Sequence, residues 1–345
     1  MGAVTAVLIT GKETVEVREF GETPTPPGCV RIDIIVCGIC GTDIASYRSG
    51  RLHSPAVCGH EWVGVVRDAG PGVAEIAVDD RVVVAVPPPC GGCGACRAGH
   101  GDHCREVSMV ARGRDALAPQ HGGFARSITV AATRVLRAHP GLSDEEAAQV
   151  EPAAVAFHAL RRSHFCPGDT VVVQGAGPIG LLVAQFARAA GAGHTIVVEP
   201  SAARRELATA LGTDTAVAPA DAQELVADLT LGVGADVVME CAGVPSLLQA
   251  AVDFARAGGV VGLVSFMSRP ATVEPARWLA KEITVVASNA YTHSDFRRVM
   301  GLIADGRVRV APLHTRTVRL DDLGTTLRDL ADVTTDDVKV LVDPR

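Results

Sequence analysis

Aromatic side chains are scarce in this chain: Phe, Tyr and Trp together make up 3 % of 345 residues. Burial must therefore rest on Ala, Val and Gly, and with 48 % hydrophobic residues a large core is available on composition alone. No block of basic charge is present, and the formal net charge is −7. That argues against nucleic acid or an anionic membrane surface as the main partner. The opening MGAVTAVLITGKE lacks a positively charged n-region and a cleavage site, and reads as a short apolar strand. An uninterrupted apolar run is missing too. Residues 171–190, the most apolar long stretch, are broken by three glycines, a proline, two glutamines and an arginine, so they are not a membrane span. No internal repeat or low-complexity tract stands out. Ten cysteines without a secretory leader point to a reducing, cytoplasmic setting and to metal use rather than disulfides.

Four of those cysteines are concentrated in one stretch. Cys90, Cys93, Cys96 and Cys104 stand at C-x2-C-x2-C-x7-C spacing, in CGGCGACRAGHGDHC. The two-residue gaps let successive thiolates turn toward one point and the longer excursion returns a fourth, as in a closed tetrahedral Zn²⁺ site. Disulfides fit poorly at such short separations. An iron–sulfur cluster is the competing occupant, although no Pro follows the fourth Cys and its spacing is long for the bacterial ferredoxin run. A closed four-sulfur site pins a lobe and does no chemistry, so the working site lies elsewhere.

Length sets a prior of about two domains. Residues 1 to about 140 read as short strands and turns, with residues 30–36 (VRIDIIV) alternating and then continuously apolar. Ser143 with Glu146 predicts a capping box and a helix over 143–148. From Cys166 strand and helix alternate: strands near 170–174, 195–199, 236–240 and 259–265, helices between them, then two late helices and a final strand over 338–343. This pattern predicts an α/β chain with a parallel, doubly wound sheet. The expected division is a catalytic domain over 1–153, a nucleotide domain over 154–288, and a segment over 289–345 returning partly to the first.

Gly175-Ala176-Gly177-Pro178-Ile179-Gly180 is G-x-G-x-x-G between a strand and a helix. Glycines there allow a tight turn and close approach of a pyrophosphate, and the helix N-terminus offers free N–H groups. Glu199 follows 19 residues after Gly180. A carboxylate there accepts from the ribose hydroxyls and repels a 2′-phosphate, which predicts NAD over NADP. The bland alternative for Glu199 is a solvated loop acid. Arg204, five residues on, is within reach of the adenine or ribose edge.

A second constellation is CGICGTD at 37–43, Gly59-His60-Glu61, and Glu151 before Pro152. A Cys, a His and carboxylates converging after strand ends suit Zn²⁺ with an open position. Cys40, His60 and either Glu61 or Glu151 are the candidate ligands. Cys37 and Cys58 read as core thiols.

CGICGTD, GHE, the cysteine quartet, EPAA at 151–154, GAGPIG and Glu199 occur in the order seen in the zinc-containing medium-chain alcohol dehydrogenases. The resemblance spans essentially the whole chain and is nearest to the polyol, threonine and 2,3-butanediol dehydrogenase branch. It implies a GroES-like β-rich catalytic domain plus a Rossmann domain, with the active site in the cleft and NAD and zinc as cofactors. By position it implies Cys40, His60 and Glu61 as ligands of a catalytic zinc, and Glu151 beside the metal as an alternative ligand or substrate contact. Thr42 resembles the hydroxyl that takes the alcohol proton, and Asp43 the carboxylate that orients His60. Cys241, Val264, Ser265, Phe266, Ser288 and Asn289 fall in segments that flank nicotinamide in the family. Lys339 is open between a cofactor phosphate or ribose contact and a surface position. The family also implies a homodimer or homotetramer joined through Rossmann edge strands, with residues 283–287 as the apolar candidate.

One position departs from the pattern. Many relatives carry His five residues after the ligand Cys, at the outer end of the proton relay; here it is Ala45. The expected activity is hydride transfer between a small secondary alcohol (polyol, vicinal diol or amino alcohol) and NAD. Three readings compete with it. One is a cyclitol or aminocyclitol dehydrogenase, which Ala45 and Trp62 resemble. The others are a non-catalytic nucleotide-binding protein and a zinc module for nucleic acid or protein.

Overall fold

The computed structural model describes residues 2–267, 269–332 and 335–345. The chain forms two compact units. The first comprises Met1–Glu151, Thr292–Ala304 and His314–Arg345; the second comprises Pro152–Tyr291 and Asp305–Leu313. The C-terminal segment is thus divided between the units. Asp305–Leu313 lies with the second unit, so the return of the segment to the first is partial.

The first unit opens with an antiparallel pair, β1 (Ala3–Gly11) and β2 (Thr14–Gly21). Its main strands are β3 (Cys29–Gly38), β4 (Glu61–Ala69), β5 (Arg81–Val84), β6 (Ser127–Ala131) and β7 (Val135–Arg137). In β3, Val30, Ile32, Ile34 and Val36 are all buried at alternate positions, as the pleat requires of an inward face. Val30, Ile32 and Ile34 pack with Val66, Val82, Val130 and other aliphatics, and Tyr47, Trp62 and Phe124 are the aromatic members of that core. Each fully buried aliphatic side chain is worth about 1.5–3 kcal/mol, so branched aliphatics replace the missing rings.

Ser143 caps the helix Asp144–Ala148 as expected: its hydroxyl accepts from Glu146 N (3.2 Å), and Glu146 Oε2 accepts from Ser143 N (2.9 Å). Three other helices of this unit, Gly41–Ser49, Gly94–Arg97 and Arg105–Ala111, have no helical periodicity to announce them. The first is a polar stretch set by its cap; the second is a single turn between cysteines of the quartet, and the third starts at Cys104, its N-cap.

The second unit holds β8 (Thr170–Gln174), β9 (His194–Val198), β10 (Thr215–Val217), β11 (Ala235–Glu240), β12 (Ala255–Leu263) and β13 (Thr284–Ala287). All pair in parallel, in the order β10-β9-β8-β11-β12-β13. This is the Rossmann arrangement expected, and its strand order reverses between β8 and β11. In open α/β sheets that switch point opens a crevice at the carboxyl ends of the strands. β10 is hard to see in the sequence because it is 3 residues long and only half-buried.

The chain then returns to the first unit through β14 (His314–Arg319) and β15 (Lys339–Asp343). They complete a seven-stranded sheet, ordered β14-β15-β3-β4-β5-β7 with β6 also on β3. β14, HTRTVR, is too polar to read as a strand. Among the described residues no helix is long and apolar enough to cross a membrane.

Candidate active site

Strand register gathers the first unit's chemistry. β3 and β4 are antiparallel, with Gly38 opposite Glu61 and Cys37 opposite Trp62. The last residues of β3 therefore lie beside the first of β4. Cys40 sits just past one strand and His60 just before the other. On its other side β3 pairs antiparallel with β15, Gly38 opposite Leu341, and Ile39 N donates to Val340 O at 3.0 Å. That brings Lys339, two residues before Leu341, to the same end. Donor atoms of Cys40, His60 and Glu61 all lie within 4.8 Å of one another. A thiolate, an imidazole and a carboxylate so grouped could hold a metal ion together, and they are donors that Zn²⁺ takes. Glu151 stands outside this cluster, although its charge, with those of Cys40 and Asp43, helps to raise the His60 pKa against the opposing effect of burial.

Two local structures orient the donors. Cys40 is the N-cap of the helix Gly41–Ser49, and its N–H donates to Asp43 Oδ2 at 3.0 Å. The other oxygen of Asp43 accepts from Gly59 N at 3.3 Å. Asp43 thus ties the Cys40 turn to the His60 turn through backbone amides, and its burial raises its carboxyl pKa. The expected direct contact from Asp43 to His60 is replaced by a carbonyl: His60 Nδ1 lies 2.9 Å from Val57 O. Donation from Nδ1–H to that carbonyl leaves the Nε2 lone pair for a metal. Thr42 is half-buried in the first turn of the same helix.

Lys339 is buried at the metal-site end of β3. Its Nζ donates to Glu61 Oε2 at 2.6 Å and to Ile39 O at 3.0 Å, and the two side chains are 2 % and 1 % exposed. Burial works against the ammonium, yet Glu61 and the Cys40 thiolate outweigh it and its pKa is raised. The sequence signal is a lysine inside an otherwise buried strand, KVLVD.

The four-cysteine lobe is also assembled. Cys90, Cys93, Cys96 and Cys104 bring their sulfurs within 4.8 Å of one another, with Cys93 and Cys104 Sγ 4.0 Å apart. Tetrahedral sulfurs about 2.3 Å from Zn²⁺ have nearly that separation. The four are free thiols. Backbone amides of Cys96 and Arg105 draw the Cys93 thiol down to about 6, which favours the thiolate a metal needs.

In the second unit the expected cofactor residues follow the C-terminal ends of parallel strands, so they share one sheet edge. Gly175–Gly180 follows β8, Glu199 follows β9, Cys241 follows β11, Val264, Ser265 and Phe266 follow β12, and Ser288 and Asn289 follow β13. Glu199 joins the loops directly: its Oε2 accepts from Ala176 N at 2.7 Å and its Oε1 from Ser201 N at 2.9 Å. Arg204, in the helix Ala202–Ala210, donates its backbone N–H to Ser201 Oγ. Glu240 organises the next turn. It accepts from Ala242 N and Gly243 N at 2.9 and 2.8 Å and bonds Ser265 Oγ.

The glycine loop passes a simple fit test for a bound phosphate. A Cβ on Gly180 would collide with Gly175 O, so that glycine is needed by the protein itself. A Cβ on Gly177 would meet nothing within 4 Å, and Gly177, the N-cap of the helix Pro178–Ala189, has an ordinary extended backbone (φ −73°). The space its missing side chain leaves faces outward at a helix N-terminus, where an anion is held. The Ser288 hydroxyl on the same edge is buried without a hydrogen-bond partner, as a group awaiting a ligand would be.

A parallel switch-point sheet with this loop, joined to a β-rich unit carrying thiol–imidazole–carboxylate donors, defines a metal-dependent dinucleotide dehydrogenase. Residues 26–140 match the alcohol dehydrogenase GroES-like domain and residues 178–305 the zinc-binding dehydrogenase family. The chain is 33 % identical over 94 % of both sequences to 2-dehydro-3-deoxy-L-galactonate 5-dehydrogenase of Pseudoalteromonas atlantica. Among solved structures, the 2R,3R-butanediol dehydrogenase of Bacillus subtilis superposes with a TM-score of 0.83 at 32 % identity, covering 99 % of this chain and 100 % of that one. A zinc-binding dehydrogenase of Sinorhizobium meliloti, solved with NADP, gives 0.85 at 30 % identity with full coverage of both. The chain belongs to the zinc-containing medium-chain alcohol dehydrogenases. It is an oxidoreductase whose cofactors are zinc and a nicotinamide dinucleotide.

This geometry can be tested by substitution. Cys40→Ser and Cys93→Ser should each bind one zinc ion fewer per chain by elemental analysis, and only Cys93→Ser should also lower the thermal midpoint markedly. Gly177→Ala should leave that midpoint unchanged while weakening dinucleotide binding about tenfold, the loss of about 1.4 kcal/mol. Gly180→Ala should instead cost about 1–3 kcal/mol of stability, read by denaturant unfolding.

Proposed function

We propose that the chain moves a hydride between a secondary alcohol of the polyol, vicinal-diol or amino-alcohol class and NAD, at a zinc ion held by Cys40, His60 and Glu61. The observation that carries this reading is the convergence of those three donors at the end of β3 and β4. The relatives named as butanediol, sorbitol and idonate dehydrogenases support the substrate class.

Held there, Zn²⁺ supplies Lewis acidity that makes an alcohol hydroxyl more acidic. The chain's own residues do the remaining work. Val57 O fixes the His60 ring and Asp43 clamps the two ligand turns, so the donors are arranged before substrate binds. Thr42 takes the proton of the substrate hydroxyl, and with Ala45 at the outer relay position that proton leaves through water. Glu151 adds negative charge near His60 and contacts the substrate side of the site. The four-cysteine lobe holds a second, structural zinc.

Backbone N–H groups of the loop Gly175–Gly180 bind the pyrophosphate, and the dinucleotide carries the hydride. Glu199 accepts from the ribose hydroxyls with its remaining lone pairs and repels a 2′-phosphate, which favours NAD; Arg204 flanks that ribose. Cys241, Val264, Ser265, Phe266, Ser288 and Asn289 line the nicotinamide end. The edge strand β13, with Val285 40 % exposed, is the surface through which we expect two copies to pair. Ten cysteines, with none paired among the described residues, support a cytoplasmic setting.

The direct test is NAD⁺ reduction across vicinal diols, linear polyols, threonine, simple secondary alcohols and cyclitols, with chelator-treated enzyme alongside. Turnover of one of the first three classes, lost on zinc removal, is expected. Turnover of cyclitols alone would move the substrate assignment, and turnover that survives complete zinc loss would overturn the mechanism. Glu199→Ala should shift the NAD/NADP preference toward NADP about tenfold; an unchanged ratio would remove the ribose role of Glu199.

A further inference from the structure

Lys339 and Glu61 form an ion pair that is almost wholly removed from solvent, 2 % and 1 % exposed, at 2.6 Å. Taking an ammonium and a carboxylate out of water is costly, and such a pair persists where its geometry is fixed on every side. Here it is. Lys339 is held by the register of β15 on β3, and its Nζ donates to Ile39 O as well as to Glu61. Glu61 is held by the register of β4 on the other side of β3. Between them lies Gly38, where a Cβ would collide with Glu61 Oε2. The absent side chain at Gly38 is what leaves room for the carboxylate.

We infer that Lys339 is the positioning residue for Glu61: it occupies Oε2 and leaves the other oxygen as a single ligand for the metal held with Cys40 and His60. This rests on the reading of those three residues as the zinc site. A free carboxylate can bind a cation through one oxygen or both. With Oε2 hydrogen-bonded to an ammonium and seated against Gly38, the bidentate mode is closed. The lysine also offsets one of the two negative charges that Cys40 and Glu61 bring. The site therefore keeps a low coordination number, with a position open for the substrate hydroxyl. Removing the lysine frees Glu61 to bind with both oxygens and closes that position.

Cobalt(II) substitution reads this without turnover, because its visible d–d bands weaken as coordination number rises. The whole chain is loaded with Co²⁺, and the spectrum of Cys40→Ser is subtracted to remove the four-cysteine lobe. If Cys40→Ser loses no cobalt, the zinc-site reading itself fails, whatever Lys339 does. If it does lose cobalt, Lys339→Met should weaken the difference bands and slow metal release to a chelator, while Lys339→Arg should restore both. In a Glu61→Gln background, Lys339→Met should change nothing further. Gly38→Ala keeps both charges but unseats Oε2, and should alter the bands even if Lys339→Met does not fold. Bands unchanged in folded Lys339→Met, unchanged in Gly38→Ala, or altered by Lys339→Met equally with Glu61→Gln present would each overturn the proposal.

Discussion

The first unit depends on the register of one strand. β3 is held antiparallel by β4 on one side and by β15 on the other, and every donor of the candidate metal site leaves from the end those pairings share. A slip of one residue in either would turn each side chain to the opposite face. Cys40 would then part from His60, or Lys339 from Glu61. The apolar alternation of Val30, Ile32 and Ile34 is thus more than core filling. Together with the register shift between Ile34 and Val36, which brings Cys37 into the same core, it sets the strand end from which the ligands leave.

The two units reach specificity by different physics. In the first, side chains do the work, and their buried charges demand partners: Asp43 is satisfied by two amides, Lys339 by a carboxylate and a carbonyl. In the second the backbone carries it. The amides of the glycine loop and the turn ends, aligned by parallel strands, meet carboxylates such as Glu199 and Glu240 that shape the loops before any ligand arrives. Pre-arranged dipoles of this kind lose little on binding, because they need not reorganise.

Much of this is legible in the sequence, and the reason differs from place to place. The strand–loop–helix of GAGPIG and the cysteine quartet are local patterns, and local chemistry dictates their shape. Cys40 and His60 can be paired because each stands at a strand end within a short distinctive motif. The role of Asp43 is not legible: a carboxylate three residues from a cysteine gives no hint that it will accept backbone amides rather than an imidazole N–H. Lys339 reads equally as a cofactor contact or a surface residue, since nothing in KVLVD marks a partner 278 residues away. The helix Gly41–Ser49 carries no apolar stripe, so its cap, visible only in three dimensions, is its cause. The division of the C-terminal segment is hidden for the same reason, because Asp305–Leu313 joins the second unit through tertiary contacts such as Gln185 with the backbone of Arg309.

The pairing of β15 with β3 also orders events in time. A chain made from its N-terminus exposes β3, and the Gly38 gap beside it, about 300 residues before Lys339 exists. At about 5–20 residues per second, the ribosome needs roughly 15–60 s to cover that interval. Throughout it Glu61 has no ammonium to meet, and the end of β3 at Cys37 and Gly38, beyond the stretch that β6 pairs, is an open edge of the sort that invites mispairing. The second unit, by contrast, has its whole parallel sheet by Ala287. During synthesis the dinucleotide unit can therefore complete its sheet first, while the metal unit, begun earlier, is finished last.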